Sequence, residues 1–234
     1  MKHAGKLYGV GVGPGDPELI TVKAVRVIKE ADIIFTAASS KNTYSLAVEI
    51  ASPYIAPCAH IKQLSFPMTK DVKKAETAWI ENARQIASVL KEGKTAVFLT
   101  LGDPTTYSTF GYILKKMKCI MPEADIETIP GITSFHAAAA RLNRILVEGE
   151  QTLLITSGAF GGEPLRKTVG VDNVAIVKVY KNIEDINKAL KETGLDQNSV
   201  AISNCSRENE QIIHNIDDLE QRAPDYWTLI LASK

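Results

Sequence analysis

The sequence predicts an α/β fold of two units, an N-terminal, mostly parallel, doubly wound sheet and a C-terminal mixed sheet. Three observations carry that expectation. Short apolar runs rich in β-branched residues alternate with segments of helical periodicity, the pattern that parallel pairing with right-handed crossovers produces. Three of the runs end in related Gly/Pro turns: GVGPGDP at 11–17, TLGDPTTYSTF at 100–110 and IPGITS at 129–134. The 234 residues are 45% hydrophobic and 23% charged, the balance of a chain that buries a sizeable core in water.

Taken in order, KLYGVGV reads as a buried strand that runs into the first turn. PELITVKAVRVIKEA follows, with Leu19, Val22, Val25 and Ile28 at helical spacing. ADIIFTA is the second strand, TYSLAVEIASPYIA a helix that stops before Pro53, and HIKQLSF the third strand. AETAWIENARQIASVLKEGK is a long amphipathic helix with Gly93 as its stop. TAVFLTLGDP is a strand, residues 107–118 read as a helix, and ADIETIPGITS holds the fifth strand. SFHAAAARLN is an Ala-rich helix; QTLLITS, NVAIVKVY, SVAISNC and YWTLILAS are strands, with EDINKALKET as the clearest helix among them. No linker or repeat separates the halves, and the break falls near Pro130–Gly131, giving units 1–131 and 132–234.

Composition narrows the function. Lys plus Arg and Asp plus Glu both total 27, so the basic excess of a dedicated nucleic-acid binder is missing. Three cysteines, Cys58, Cys119 and Cys205, are odd in number and far apart, which argues against a disulfide framework and a zinc site. The histidines His3, His60, His136 and His214 show no metal-ligand spacing. With no signal-peptide core and no apolar run near ~18 residues, the expectation is a cytoplasmic protein without a membrane partner.

The Gly-rich loop is not a dinucleotide fingerprint. Counting G-x-G-x-x-G from Gly9 puts the third glycine at Pro14, and counting from Gly11 puts it at Asp16. Pro14 and Pro17 offer no N–H, Asp16 repels a phosphate, and no Gly-Lys-Ser/Thr follows. The loop therefore needs close backbone approach without an anionic guest. In open parallel sheets the ligand sits beyond the carboxyl ends of the strands, so the three turns are expected to line one rim. Asp16 and Asp103 each precede proline, which fixes extended backbone and the direction of the carboxylate. Either one serves equally well as simple turn chemistry; three such turns together favour a site.

GVGVGPGDPELITVKAVRVIKEADIIF, LTLGDPTTYSTFGYIL and IETIPGITSFHAAAARL resemble, in order and over nearly the whole chain, the signature segments of the tetrapyrrole (corrin/porphyrin) methylase family. GDPTTYSTFGY, GITSFHAAAARL and LVEGE resemble the branch that methylates C20 of precorrin-2 or cobalt-factor II. The resemblance implies two α/β domains with the active site in a cleft between them, S-adenosylmethionine as methyl donor, a tetrapyrrole substrate and a homodimer. It implies cofactor contacts at Pro14, Leu101, Gly102, Asp103, Thr106, Thr133, Ser134, Tyr180, Asn204 and Cys205. A sulfonium carries no phosphate, which suits the opening loop. The proton that leaves C20 needs an acceptor, for which Asp16, Asp103, Tyr107 and His136 are candidates. Lys23, Arg26, Arg141 and Arg144 are possible partners for substrate carboxylates, though each reads equally well as a solvated helix charge. His136, Asn143 and Arg144 depart from the branch pattern, beside the expected rim. Other members of the family, acting on uroporphyrinogen III, diphthine precursors or ribosomal RNA, and a non-catalytic tetrapyrrole carrier are the alternatives.

Overall fold

The computed structural model describes residues 5–38, 45–221 and 224–234. His3, Thr43 and Tyr44 lie outside the described residues. The chain divides into two compact units, Met1–Thr133 and Ser134–Lys234.

The first unit runs β1 (Lys6–Gly11), α1 (Val22–Lys29), β2 (Ile33–Ala38), α2 (Leu46–Ala51), β3 (His60–Ser65), α3 (Val72–Lys91), β4 (Ala96–Thr100), α4 (Phe110–Ile120) and β5 (Asp125–Ile129). Its five strands are all parallel, in the order β3-β2-β4-β1-β5. The chain steps one way across the sheet from β1 to β3 and the other way from β3 to β5. Right-handed crossovers then place the helices on opposite faces. The core shows this directly: Ala24, Ile28 and Ile50 of α1 and α2 pack with Val10, Ile34, Val97 and Leu99. Ile86 and Leu90 of α3 and Phe110, Ile113 and Met117 of α4 pack with Leu7, Phe35, Ala96 and Phe98. Alternate residues of β4 thus serve alternate layers, as a two-residue repeat requires.

Caps set the helix boundaries. The segment expected to be one helix from Pro17 is two elements: Asp16 caps a single 3₁₀ turn over Pro17–Leu19, and Thr21 accepts from Ala24 N–H to start α1. The helix expected from residue 107 begins only at Phe110. Tyr107 has φ 49°, a left-handed backbone that no α-helix admits, and Ser108 Oγ accepts from Phe110 N–H. Asp71 caps α3 through Lys74 N–H at 3.1 Å, and Gly93, at φ 83°, follows its end. Asp71→Ala is expected to lower stability by about 1 kcal/mol, read as a fall in Tm of about 2–4 °C.

The second unit runs α5 (Ser134–Arg141), β6 (Leu153–Ser157), α6 (Glu163–Lys167), β7 (Asn173–Val177), α7 (Ile183–Thr193), β8 (Val200–Ser203), β9 (Gln211–Ile213), α8 (Asp218–Gln221) and β10 (Thr228–Ser233). Its sheet is mixed, in the order β6-β7-β10-β8-β9. β6 and β7 are parallel, while β10 runs antiparallel to both β7 and β8. One face is closed by Leu165, Ile186, Leu190 and Leu219 of α6, α7 and α8; α5 lies against β10 and β7. The edge strand β9 and the short helices α6 and α8 were not expected from the sequence. Among the described residues, no helix is long and apolar enough to cross a membrane.

Candidate functional site

In the first unit, β1 and β4 are neighbours whose onward connections leave to opposite faces, so the crevice beyond their carboxyl ends is the topological switch point. The three Gly/Pro turns meet there. Gly13 and Gly102 form an antiparallel bridge, with Gly102 N–H donating to Gly13 O at 2.8 Å and Gly13 N–H to Gly102 O at 3.3 Å. Both glycines are left-handed, at φ 78° and 66°, which other residues rarely adopt. Gly131 N–H donates to Asp103 Oδ2 at 3.0 Å and so joins the third turn.

This geometry answers what the glycines approach. A Cβ on Gly11 would lie 2.5 Å from Gly102 O and 2.7 Å from Gly131 N; one on Gly131 would lie 2.2 Å from Gly102 O. The glycines let the three turns touch one another, backbone to backbone. On Gly9 the neighbour is a side chain, since a Cβ there would meet the Phe110 ring at 2.2 Å.

Asp103 is 8% exposed, and its carboxylate is fully engaged. Oδ1 accepts from Thr105 N–H at 2.8 Å and from the Thr105 hydroxyl, while Oδ2 takes Gly131 N–H. Burial pushes its pKa up, but the hydrogen bonds from the Thr105 hydroxyl and from Gly131, Thr105 and Thr106 N–H outweigh it, leaving the pKa below the ordinary value. Among the described residues, no Lys or Arg pairs with this carboxylate. An ionised, half-desolvated carboxylate without a cation gives the rim a negative potential, which repels phosphate and suits a positively charged guest.

Asp16 is partly exposed; its Oδ1 accepts from Glu18 N–H at 2.8 Å. Its other oxygen has no partner among the described residues. Pro14 is buried beside Gly13, Leu101 and Thr106 are partly buried on the second turn, and Thr133 is partly buried at the end of the third. Tyr107 is 51% exposed in the second turn. Gly102 faces Thr133, whose Cα lies 3.9 Å from the position a Cβ would take.

In the second unit, Ser134 opens α5, and His136 is exposed on that helix with its ring 4.7 Å from that of Phe135. Tyr180, Asn204 and Cys205 gather at the end of the sheet where β7 and β8 finish and β10 begins. The Tyr180 ring lies 4.9 Å from that of Tyr226, which meets Trp227 edge to face at 4.8 Å. Asn204 is buried; it donates to Asp225 Oδ2 at 2.7 Å and accepts from Arg207 Nη1 at 3.0 Å. Lys178, Asn204 and Ser206 all hold a left-handed backbone here, a concentration of strain that marks functional loops. The sequence expectation named Tyr180 and Asn204; Lys178, Tyr226 and Trp227 share this end of the sheet without a sequence signal, because the positive φ and the ring cluster exist only after folding. Burial pushes the Cys205 thiol pKa up, so it is a packed thiol rather than a nucleophile.

The basic candidates divide. Lys23 is paired with Glu127, and Arg141 Nε donates to Glu210 at 2.6 Å. Arg144 donates to Leu231 O at 3.2 Å and Ser233 Oγ at 2.8 Å, where β10 finishes and β7 and β8 begin. It therefore sits at the opposite end of this sheet from Tyr180 and Asn204. Among the described residues, no cluster of three His, Cys, Asp or Glu side chains is arranged to hold a metal.

A doubly wound sheet carrying a negative rim at its switch point, followed by a mixed α/β unit, defines a class that the comparisons name. Residues 6–220 match the model of the Tetrapyrrole (Corrin/Porphyrin) Methylases, and the chain belongs to that family. It is 32% identical over 232 residues to the cobalt-precorrin-2 C(20)-methyltransferase of Salmonella typhimurium, covering 98% of this chain and 97% of the relative. It is 40% identical over 186 residues to a probable cobalt-precorrin-2 C(20)-methyltransferase of Methanocaldococcus jannaschii, covering 80% and 77%. Among solved structures, a cobalt precorrin-4 methyltransferase superposes with a TM-score of 0.73 at 24% identity, covering 97% of this chain and 94% of the other. The uroporphyrin-III C-methyltransferase of Thermus thermophilus, complexed with S-adenosyl homocysteine, gives 0.67 at 20% identity over 98% of each chain.

Proposed function

We propose that this protein is an S-adenosylmethionine-dependent methyltransferase that methylates C20 of precorrin-2 or its cobalt-containing counterpart in cobalamin biosynthesis. The observation that carries the reading is the similarity to two such proteins, 32% identity over 98% of the chain to the Salmonella C(20)-methyltransferase and 40% over 80% of it to the probable archaeal one. The rim supports the donor: an ionised Asp103 without a cationic partner fits a sulfonium and not a phosphate. When bound, S-adenosylmethionine supplies an electrophilic methyl group on a sulfur that keeps the bonding electron pair as the methyl passes to C20.

The residues of the chain act on position and proton. The Leu101–Gly102–Asp103 corner presents backbone and a fixed negative charge, and Asp103 holds the second turn to the third rather than moving a proton. Its lowered pKa makes it a weak base, and every lone pair it offers is engaged. Asp16, partly exposed and with one carboxylate oxygen unpartnered among the described residues, receives the proton that leaves C20. Pro14, Thr106, Thr133 and Ser134 complete the cofactor contacts of the corner, with Tyr107 bordering the substrate. Tyr180, Asn204 and the loop at Cys205 supply the second unit's contacts. Alignment supplies most of the acceleration, because the reacting carbon is already electron-rich. The protein acts in the cytoplasm as a homodimer, without nucleic acid or membrane.

Incubation with methyl-labelled S-adenosylmethionine and, separately, metal-free precorrin-2 and cobalt-factor II tests this reading. Label at C20 of either product is the expected result; label at another ring carbon keeps the family and discards the position. Titration calorimetry with S-adenosylhomocysteine separates an enzyme, which binds it, from a tetrapyrrole carrier, which gives no heat.

A further inference from the structure

A second polar depression lies in the second unit, at the end of its sheet where β8 begins and β10 finishes. It is a groove of about 330 Å³ whose polar wall is made by Arg144, Asn198, Ser199, His214 and Ser233, with two aliphatic side chains as the remainder. No acidic residue lines it. This is the opposite end of the strands from Tyr180 and Asn204, so the groove is separate from the second unit's part of the proposed methyl-transfer site.

The guanidinium of Arg144 is the dominant charge. Two of its N–H groups are used, on Leu231 O and Ser233 Oγ, both neutral acceptors. Among the described residues, no carboxylate pairs with it. Desolvation alone lowers its pKa, with no neighbouring anion to offset the cost of burial. A guanidinium carries five donors in a fixed fork, so three remain. Ser199 Oγ is spent on Asp196 O at 2.6 Å, whereas the side chains of Asn198 and His214 make no hydrogen bond among the described residues. A partly buried cation, an exposed spare amide and an exposed spare imidazole thus line one shallow depression with no acidic side chain among its described lining residues.

We propose that this groove is a binding site for a small oxyanion, held by the free edge of the Arg144 guanidinium with Asn198 and His214 as further donors. The shared chemistry is a planar or tetrahedral group of charged oxygens, found both in inorganic phosphate and in the carboxylate of a small organic acid. Such a group meets the fork of arginine with two parallel hydrogen bonds, and burial strengthens each one. Because Arg144 ties the segment after α5 to β10, an occupied groove fastens that segment to the sheet and stabilises the unit.

Thermal unfolding of the whole chain, at fixed pH and at ionic strength held constant with sodium chloride, tests the proposal. Inorganic phosphate is one arm and acetate the other, and the arm with the larger shift identifies the source. At ten times the dissociation constant, Tm is expected to rise by about 3–5 °C. Arg144→Met is expected to abolish the rise, and His214→Ala, which removes a side chain with no hydrogen bond among the described residues, to weaken the apparent affinity by about tenfold. The proposal is overturned if neither anion raises the Tm of the wild type, or if Arg144→Met gains as much as wild type. Should Arg144→Met not fold, an unchanged affinity in His214→Ala together with an unchanged affinity in Arg144→Lys overturns it.

Discussion

Gly131→Ala is expected to unfold the first unit or leave it with only a small part of its stability. The new Cβ would lie 2.2 Å from Gly102 O and 2.9 Å from both the carbonyl carbon and the Cα of Gly11, and all three atoms belong to backbone. A flexible side chain can rotate away from an intruding methyl, but a carbonyl held in the Gly13–Gly102 bridge cannot move without breaking it. Overpacking against side chains costs about 1–3 kcal/mol. Alanine keeps the backbone N–H, but displacing the turn to relieve the clash draws it off Asp103, which adds about 1–3 kcal/mol for a buried charged acceptor left short of a donor. Urea unfolding should show a midpoint shift corresponding to about 4 kcal/mol or more, or no folded baseline. Gly149→Ala is the control: that glycine is also left-handed, at φ 55°, but nothing lies within 4 Å of its added methyl. Its expected cost is about 1 kcal/mol, from backbone conformation alone. Similar losses in the two variants would show that the turns do not need their close approach.

Asp16→Asn and Asp103→Asn are expected to fail in different ways. Asp16→Asn should fold as the wild type, because an amide oxygen still accepts from Glu18 N–H, and should bind S-adenosylhomocysteine unchanged. Its kcat is expected to fall about 100-fold, the contribution of a positioned proton acceptor. In Asp103→Asn, one of two acceptor oxygens becomes a donor. Whichever way the amide turns, it faces an N–H of Thr105 or of Gly131. That costs about 2–3 kcal/mol of stability and weakens binding of the cationic S-adenosylmethionine by about tenfold or more, as the negative charge at the rim is lost, with a smaller effect on S-adenosylhomocysteine, whose sulfur is neutral. Stopped assays with calorimetry separate the two. Unchanged kcat in Asp16→Asn would remove it from proton transfer.

Acid stability adds a check on Asp103. Its folded pKa lies below the ordinary 3.8, so the unfolded chain takes up the proton first as pH falls. The stabilisation is complete above 3.8 and is lost as pH drops through the lower folded value. Asp103→Asn removes that contribution, so the stability difference from wild type should shrink as pH falls below 3.8 towards the lower folded value. A difference that stays constant across this window would show that the carboxylate is not held ionised by its neighbours.

Much of the first unit was legible because its strands are buried on both faces. Runs such as Ala96–Thr100 are fully buried, as a strand covered by helices on both faces of its sheet requires. The turns carried the site for the same reason: a parallel strand must end in a sharp exit at the ligand-binding edge, and glycine before Asp-Pro marks it. The boundaries were less legible. Tyr107 reads as helix by its neighbours, yet the turn pinned by Asp103 leaves it left-handed. β9, with Ile212 and Ile213 as its only apolar residues, is a strand because β8 offers it a free edge to pair with.

By itself, the sequence determined the alternation of strand and helix, the place of the three corners along the chain and the absence of a phosphate-binding loop. These follow from local chemistry: apolar spacing, proline without an N–H, glycine without a side chain. Tertiary structure alone decided what the glycines are for. Gly11, Gly102 and Gly131 are distant in sequence, and only the order β4-β1-β5 sets their backbones against one another. The same is true of charge. Whether Asp103 takes up a proton or holds a turn depends on donors from Thr105 and Gly131, and whether Arg144 borders one end of a sheet or the other depends on strand direction. Neither is written in a neighbouring residue, because both arise from contacts that close only when the sheet has formed.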